Sequence, residues 1–154
     1  MREQVFQAAD MPHTAFDALN SLPSNTAFGY LEDRQTTNIY NLPIRGGGDG
    51  GLFTTAADLR AFWRNLFANR ILSPELTAAF LQTQHPFDEE SGYGCGVYKR
   101  IDGSLYAIVG GDAGVGFDSR YLVDQQITIS ILSNTTNGEG KLPEVVTSFF
   151  YPPA

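Results

Sequence analysis

The sequence predicts an α+β fold, with helices first, an antiparallel sheet of about four strands next, and one closing helix. Three observations carry that prediction. Apolar residues recur at helical spacing from Leu59 to Phe67, four short runs rich in Val, Ile, Tyr and Phe follow residue 90, and a proline-led apolar segment begins at Leu142. The chain has 154 residues, of which 42% are apolar and 18% charged, the mixture of a folded domain and not of a disordered tail.

Residues 1 to about 45 read as irregular. Val5, Phe6, Ala8 and Ala9 suggest the last turns of a short helix, and Pro12, Pro23 and Pro43 then punctuate ordered loop. Loops that long inside a domain are uncommon and mean function or support from another element. The glycine-rich run Gly46 to Gly51 reads as a tight structural lead-in to a helix, with turns that need positive φ. Thr55 followed three residues later by Asp58 has the pattern of a capping box. Leu59, Phe62, Trp63, Leu66 and Phe67 then form one apolar stripe. Ser73-Pro74-Glu75 starts a second helix, with serine as cap and proline at its first position. Its expected inner face is Leu76, Ala79 and Phe80, and Pro86 ends it.

Strands are expected over 93–100, 105–109, 116–123 and 127–132. Asp102-Gly103 and Asp124-Gln125-Gln126 separate two of the pairs, which favours an antiparallel meander. Ile127, Ile129 and Ile131 point to one face, with Thr128 and Ser130 on the other. A last helix from Leu142 to Phe150 can lie on that apolar face. Residues 1–90 thus form a loop-rich and helical segment, and 91–154 the sheet with its closing helix.

Composition excludes several function classes. The formal charge is −7, and the sequence pI near 4.6 is wrong for a nucleic-acid partner, whose phosphates need a basic face. No apolar run approaches the ~20 residues of a membrane helix, so no membrane partner is expected. The start, Met1-Arg2-Glu3-Gln4, has neither the charge bias nor the apolar run of an export signal, and it leaves the compartment open. Cys95 is the single cysteine, read as a buried bystander thiol.

Nothing implies a cofactor or a metal. His13 and His85 stand far apart with no closely spaced carboxylate set, and Asp88-Glu89-Glu90 reads as a solvated loop. The glycine run before Leu52 lacks the Gly-Lys-Ser or Gly-Lys-Thr ending of a nucleotide loop. No serine lies in a Gly-x-Ser-x-Gly elbow. The stretch from Gly110 to Phe117 is more informative. Glycine-rich and proline-free, it joins two strands and suits either a wide β-turn or amides left open beside a ligand.

These pieces, in this order, resemble the carboxy-terminal part of the serine β-lactamase and penicillin-binding-protein superfamily, in its class C-like branch with esterases and D-aminopeptidases. Met11-x-x-Thr14-x-Phe16 is similar to the family's Gly-Met-x-x-Thr-x-Phe, with Asp10 in place of the glycine, and Gly29-Tyr30 fits its Gly-Tyr. The most specific match is Gly50-Gly51-Leu52-Phe53-Thr54-Thr55-Ala56-Ala57-Asp58-Leu59 with Phe62. Tyr93-Gly94-Cys95-Gly96 and Ile131-Leu132-Ser133-Asn134 add two more.

The resemblance implies a bacterial hydrolase that forms an acyl-serine on amide, lactam or ester carbonyls. It also exposes what this chain lacks. The family's nucleophile lies in Ser-x-x-Lys, yet Lys99 and Lys141, the only lysines, follow Gly96 and Gly138 by three positions. No Tyr-x-Asn occurs either; Tyr40-Asn41-Leu42 has the wrong spacing. Where the family places a cation before its glycine pair, the chain has Val109-Gly110-Gly111-Asp112. That stretch is similar to a Glu-Gly-x-Asp-x-Gly-Val-Ser-Phe variant, with Val109 for Glu and Gly116 for Ser. By resemblance, Gly110, Gly111, Asp112 and Ala113 form a substrate and oxyanion wall, with no catalytic residue in the chain itself.

The expectation is one incomplete domain, inactive alone. The alternative is a non-enzymatic binding or complementation module, pairing with an amino-terminal half of the same fold or with itself.

Overall fold

Helix α1 (Ala56–Phe67) joins the two parts of the fold in the computed structural model, which describes residues 1–150. The Thr55 hydroxyl accepts from the Asp58 amide at 3.1 Å, so the cap forms as the sequence predicts. The other half of the capping box does not. Asp58 is 2% exposed, and its carboxylate accepts from the Thr14 hydroxyl at 2.6 Å and the His13 amide at 2.9 Å. The acid therefore ties the preceding loop to the helix. Leu59, Trp63 and Leu66 of the apolar stripe are buried.

Helix α2 (Pro74–Leu81) starts under its serine cap, Ser73 accepting from the Leu76 amide at 3.3 Å. Its inner face differs from the expected one. Thr77 and Leu81 are buried and Phe80 half-buried, while Leu76 is 58% exposed. At only eight residues the helix is set by where Leu81 and Phe80 enter the core beside Trp63.

The sheet has six strands in chain order, all antiparallel: β1 (His85–Pro86), β2 (Ser91–Tyr93), β3 (Tyr98–Arg100), β4 (Leu105–Asp112), β5 (Val115–Leu122) and β6 (Ile127–Ser133). About four were expected. The difference has two sources. The run 93–100 is a hairpin and not one strand, because Gly96 turns the chain at φ +94° and the Gly94 amide donates to the Val97 carbonyl at 2.8 Å. Pro86 adds a two-residue edge strand instead of only ending α2. Cys95 lies on that turn and is exposed, which corrects its reading as a buried thiol.

Directly opposed residues share a face, so the register sorts the sheet. One face carries Tyr106 and Tyr121, which pack with Trp63, Leu66, Leu81 and Val97 in the main core. Trp63 stacks on Tyr121 at 6.0 Å, and its indole N–H donates to the Ser119 hydroxyl at 2.9 Å. The other face carries Arg120 opposite Ile129 and receives helix α3 (Leu142–Ser148), where the isoleucine alternation places the closing helix. The Arg120 guanidinium donates to Thr147 at 3.1 Å and to Glu144 at 2.6 Å.

A second small cluster of Phe6, Ala9 and Met11 holds the start of the chain, led by a π-helical stretch (Arg2–Gln7). Between it and α1 the irregular segment is pinned by single bridges, Ala15 to Phe53, Ala18 to Arg45, and Tyr30 to both Thr37 and Thr135. Residues 151–154, the end of the predicted sheet segment, lie outside the described residues.

Candidate active-site wall

The four residues expected to form a wall sit at the far end of β4. Gly110, Gly111 and Asp112 are its last three residues, and Ala113 opens the link to β5. The wide turn that the glycines allowed is absent. Pairing runs on through Gly110 with Phe117, Gly111 with Gly116 and Asp112 with Val115, which leaves only Ala113 and Gly114 in the loop. Gly114 takes φ +77°, a conformation costly for any other residue here. At Gly110 a side chain would meet the Phe117 ring at 2.6 Å, so that glycine is dictated by a crossing aromatic and not by a ligand.

The open side of β4 is its most usable feature. Strand β3 pairs only with Tyr106 and Ala107, so the backbone from Ile108 to Asp112 has a strand partner on one side alone among the described residues. Not every amide there is available. The Ala113 amide donates to its neighbour's carboxylate, Asp112 Oδ1, at 2.7 Å, and the Gly114 amide donates to Thr136 Oγ1 at 2.8 Å. An oxyanion seated at Ala113 would compete with Asp112 for that proton.

Val109 stands 45% exposed on the opposite face of β4 and puts no charge beside the wall. There Val109, Gly110 and Gly111 border a shallow cleft of about 310 Å³, whose other lining includes Asp118, Glu139 and Glu144. Arg120 pairs with Asp118 and Glu144 but is outnumbered by the three carboxylates, so the cleft stays acidic, and it lies across the sheet from the α1 core. It shares Gly110 and Gly111 with the β4 edge. The Glu139 carboxylate lies over Gly116, in the space a side chain there would take.

Sequence reasoning set aside His13, which the fold brings near an acid. Its Nδ1 lies 3.6 Å from Asp58 Oδ1, with the imidazole 65% exposed. The Thr14 hydroxyl and the His13 amide both donate to the other oxygen, Asp58 Oδ2. No group of three His, Cys, Asp or Glu suited to a metal occurs among the described residues.

What the sequence missed is Asn38. It is 3% exposed within an open loop, and its side-chain amide donates to the Ala113 carbonyl at 2.9 Å. The only signal was Gly29, a glycine with no turn to explain it, whose missing side chain makes room for Asn38.

An antiparallel meander with α1 on one face, α3 on the other and a glycine-rich β4–β5 link has the architecture of the β-lactamase and penicillin-binding-protein fold. The sequence model of the Beta-lactamase family matches residues 1–145, and the chain belongs to that family. Among solved structures it is similar to a penicillin-binding protein from Bacillus halodurans, at 30% identity and TM-score 0.90 over 97% of this chain and 48% of that one. The fold also matches a D-stereospecific amidohydrolase from a Streptomyces species, at 18% identity and TM-score 0.74, covering 99% of this chain and 48% of that one. An octameric penicillin-binding protein homologue from Pyrococcus abyssi matches at 17% identity and TM-score 0.75, over 97% and 36%. This chain therefore spans between about a third and a half of these relatives. No curated protein matches the sequence. No helix of the described residues is long and apolar enough to cross a membrane.

Proposed function

We propose that this chain is the sheet-bearing portion of a β-lactamase-related serine hydrolase, one incomplete domain that supplies one wall of an acyl-transfer cleft. The observation that carries the reading is the open edge of β4 from Ile108 to Asp112, which ends in Gly110, Gly111, Asp112 and Ala113. An extended acyl substrate can lie along such an edge by strand addition. A serine on an amino-terminal half of the same fold would attack the carbonyl and pass its proton to a base. The tetrahedral oxyanion would collapse with loss of the amine or alcohol, and water would then cleave the acyl-serine. In this chain no serine has the Ser-x-x-Lys spacing for the first step.

The relatives favour amide chemistry, one being a D-stereospecific amidohydrolase. Val109 offers no cation for a substrate carboxylate, so simple amides and esters fit better than penicillins.

The edge of β6 supports a partner. Its seven residues, Ile-Thr-Ile-Ser-Ile-Leu-Ser, carry no charge and no proline, and β5 is their one strand neighbour among the described residues. An edge without protective charges, proline or bulges is a template for another strand. The reading that fits a hydrolase is an amino-terminal half of the same fold. The non-enzymatic alternative is self-association through the same edge, and a Pyrococcus homologue is described as octameric.

The purified chain is expected to leave both a chromogenic cephalosporin and a p-nitrophenyl ester unhydrolysed above the buffer rate. Turnover by the chain alone, with a burst of p-nitrophenol, overturns the reading.

A further inference from the structure

We propose that Asn38 is the positioning residue of the wall, the side chain that sets where the Ala113–Gly114 turn, and with it the β4 edge, stands. The inference rests on reading that edge as a substrate wall. Asn38 begins a single 3-10 turn (Asn38–Tyr40) whose last residue, Tyr40, is 93% exposed, while Asn38 itself is 3% exposed. Its own backbone is fixed from both sides: its amide donates to the Gly29 carbonyl at 3.0 Å, and its carbonyl accepts from the Asn41 amide at 2.9 Å. From that fixed base the side-chain amide donates to the Ala113 carbonyl at 2.9 Å, across 75 residues of sequence.

Two glycines are shaped around it. A side chain at Gly29 would overlap the Asn38 amide, and one at Gly114 would lie 2.7 Å from the Asn38 Cβ. The turn is then held at three points, by Asn38 on the Ala113 carbonyl, by Thr136 on the Gly114 amide and by Asp112 on the Ala113 amide. Of these, only Asn38 belongs to a different part of the chain from the sheet and the segment that follows it. Its loop is in turn anchored past the end of β6, where the Tyr30 amide donates to the Asn134 carbonyl at 2.8 Å. The Asn38 contact thus relays the position of the β6 end to the tip of β4. A neutral amide suits this place because it donates without adding a charge beside Asp112.

Asn38→Asp keeps the shape and removes the donor. The ionised carboxylate then faces the Ala113 carbonyl, acceptor against acceptor, whereas the protonated carboxyl has an O–H to donate. Hydrogen exchange of the intact 154-residue chain reads the result, corrected for the intrinsic pH dependence of exchange. In N38D the amides from Gly110 to Gly116 are expected to exchange about tenfold faster at pH 7, the loss of one hydrogen bond. Protection there should return as the new carboxyl is protonated, while Asn38→Ala shows no such return. Amides of the Arg120–Ile129 pairing should not change. A uniform loss across the sheet, or an N38D profile equal to wild type, overturns the proposal. If N38D does not fold, the side-chain amide of Asn38 in the wild-type chain is followed by NMR: slow exchange supports the contact, and exchange as fast as an exposed asparagine refutes it. Neither readout depends on acylation, so failure of the hydrolase reading would show separately in the ester assay.

Discussion

Trp63 is completely buried, and an indole N–H in that position needs an acceptor. Ser119 supplies one at 2.9 Å and is itself bonded to Ser130 at 2.8 Å, so one hydroxyl pair links α1 to β5 and β6. Two substitutions separate packing from polarity. Trp63→Ala removes the ring that stacks on Tyr121 and packs tilted against Phe67, and is expected to destabilise by about 3–5 kcal/mol. Ser119→Ala leaves the indole N–H unpaired in the core and should cost about 1–3 kcal/mol. Urea titration followed by far-ultraviolet circular dichroism measures both, and a smaller cost for Trp63→Ala than for Ser119→Ala would contradict this account of the core. The pairing was invisible beforehand, because Ser119 lies in a strand pattern where a serine ordinarily faces solvent, 56 residues from its partner.

At the scale of the element, charge adds to apolar contact in holding α3 to the sheet. Arg120 bridges Asp118 at 2.8 Å and Glu144 at 2.6 Å. Partial burial works against the Glu144 carboxylate, but the Arg120 hydrogen bond and charge outweigh it and hold its pKa below the ordinary value of 4.5. A carboxylate whose folded pKa is depressed contributes stability above its unfolded pKa and loses it as the pH falls through the folded value. Docking of α3 is therefore expected to weaken below about pH 4.5. Limited proteolysis between Leu142 and Ser148 at falling pH tests this. Cleavage should rise in wild type, and Glu144→Gln, already without the charge, should show a flatter pH response. Equal acid sensitivity in both proteins would remove Glu144 from the explanation.

Most elements were legible for the same local reasons that form them. The Thr55 cap, the Leu59 to Phe67 stripe, the Ser73-Pro74 start and the Ile127 to Ile131 alternation each lie within a few residues of sequence. What escaped depended on distant partners. Val97 is fully buried in the middle of the turn region between β2 and β3, so the apolar run looked continuous across the hairpin that Gly96 makes. The Asp58 carboxylate looked like a helix cap, yet its strongest hydrogen bond goes to Thr14, 44 residues earlier.

For the whole molecule, the motif points to Gly110 to Ala113 as the proposed wall, while their surroundings could not be read from it. Gly110 to Ala113 lie at the strand end expected for them, but the Asn38 contact that fixes them and the Asp112 carboxylate that holds the Ala113 amide required the fold. The open stretch of β4 comes from its short pairing with β3, and the open edge of β6 from its place at the end of the strand order, not from any residue type. Together they put the proposed wall at the tip of β4, inside the strand order, and the proposed docking strand at the β6 margin. The central claim is that the wall is here and the nucleophile is elsewhere. It is tested most directly by incubating this chain, with the amino-terminal half of the Bacillus halodurans relative, with a serine-reactive fluorophosphonate and weighing both polypeptides intact. The account predicts that the adduct appears on the amino-terminal half alone, and that labelling rises when this chain is present. An adduct on a serine of this chain would contradict it.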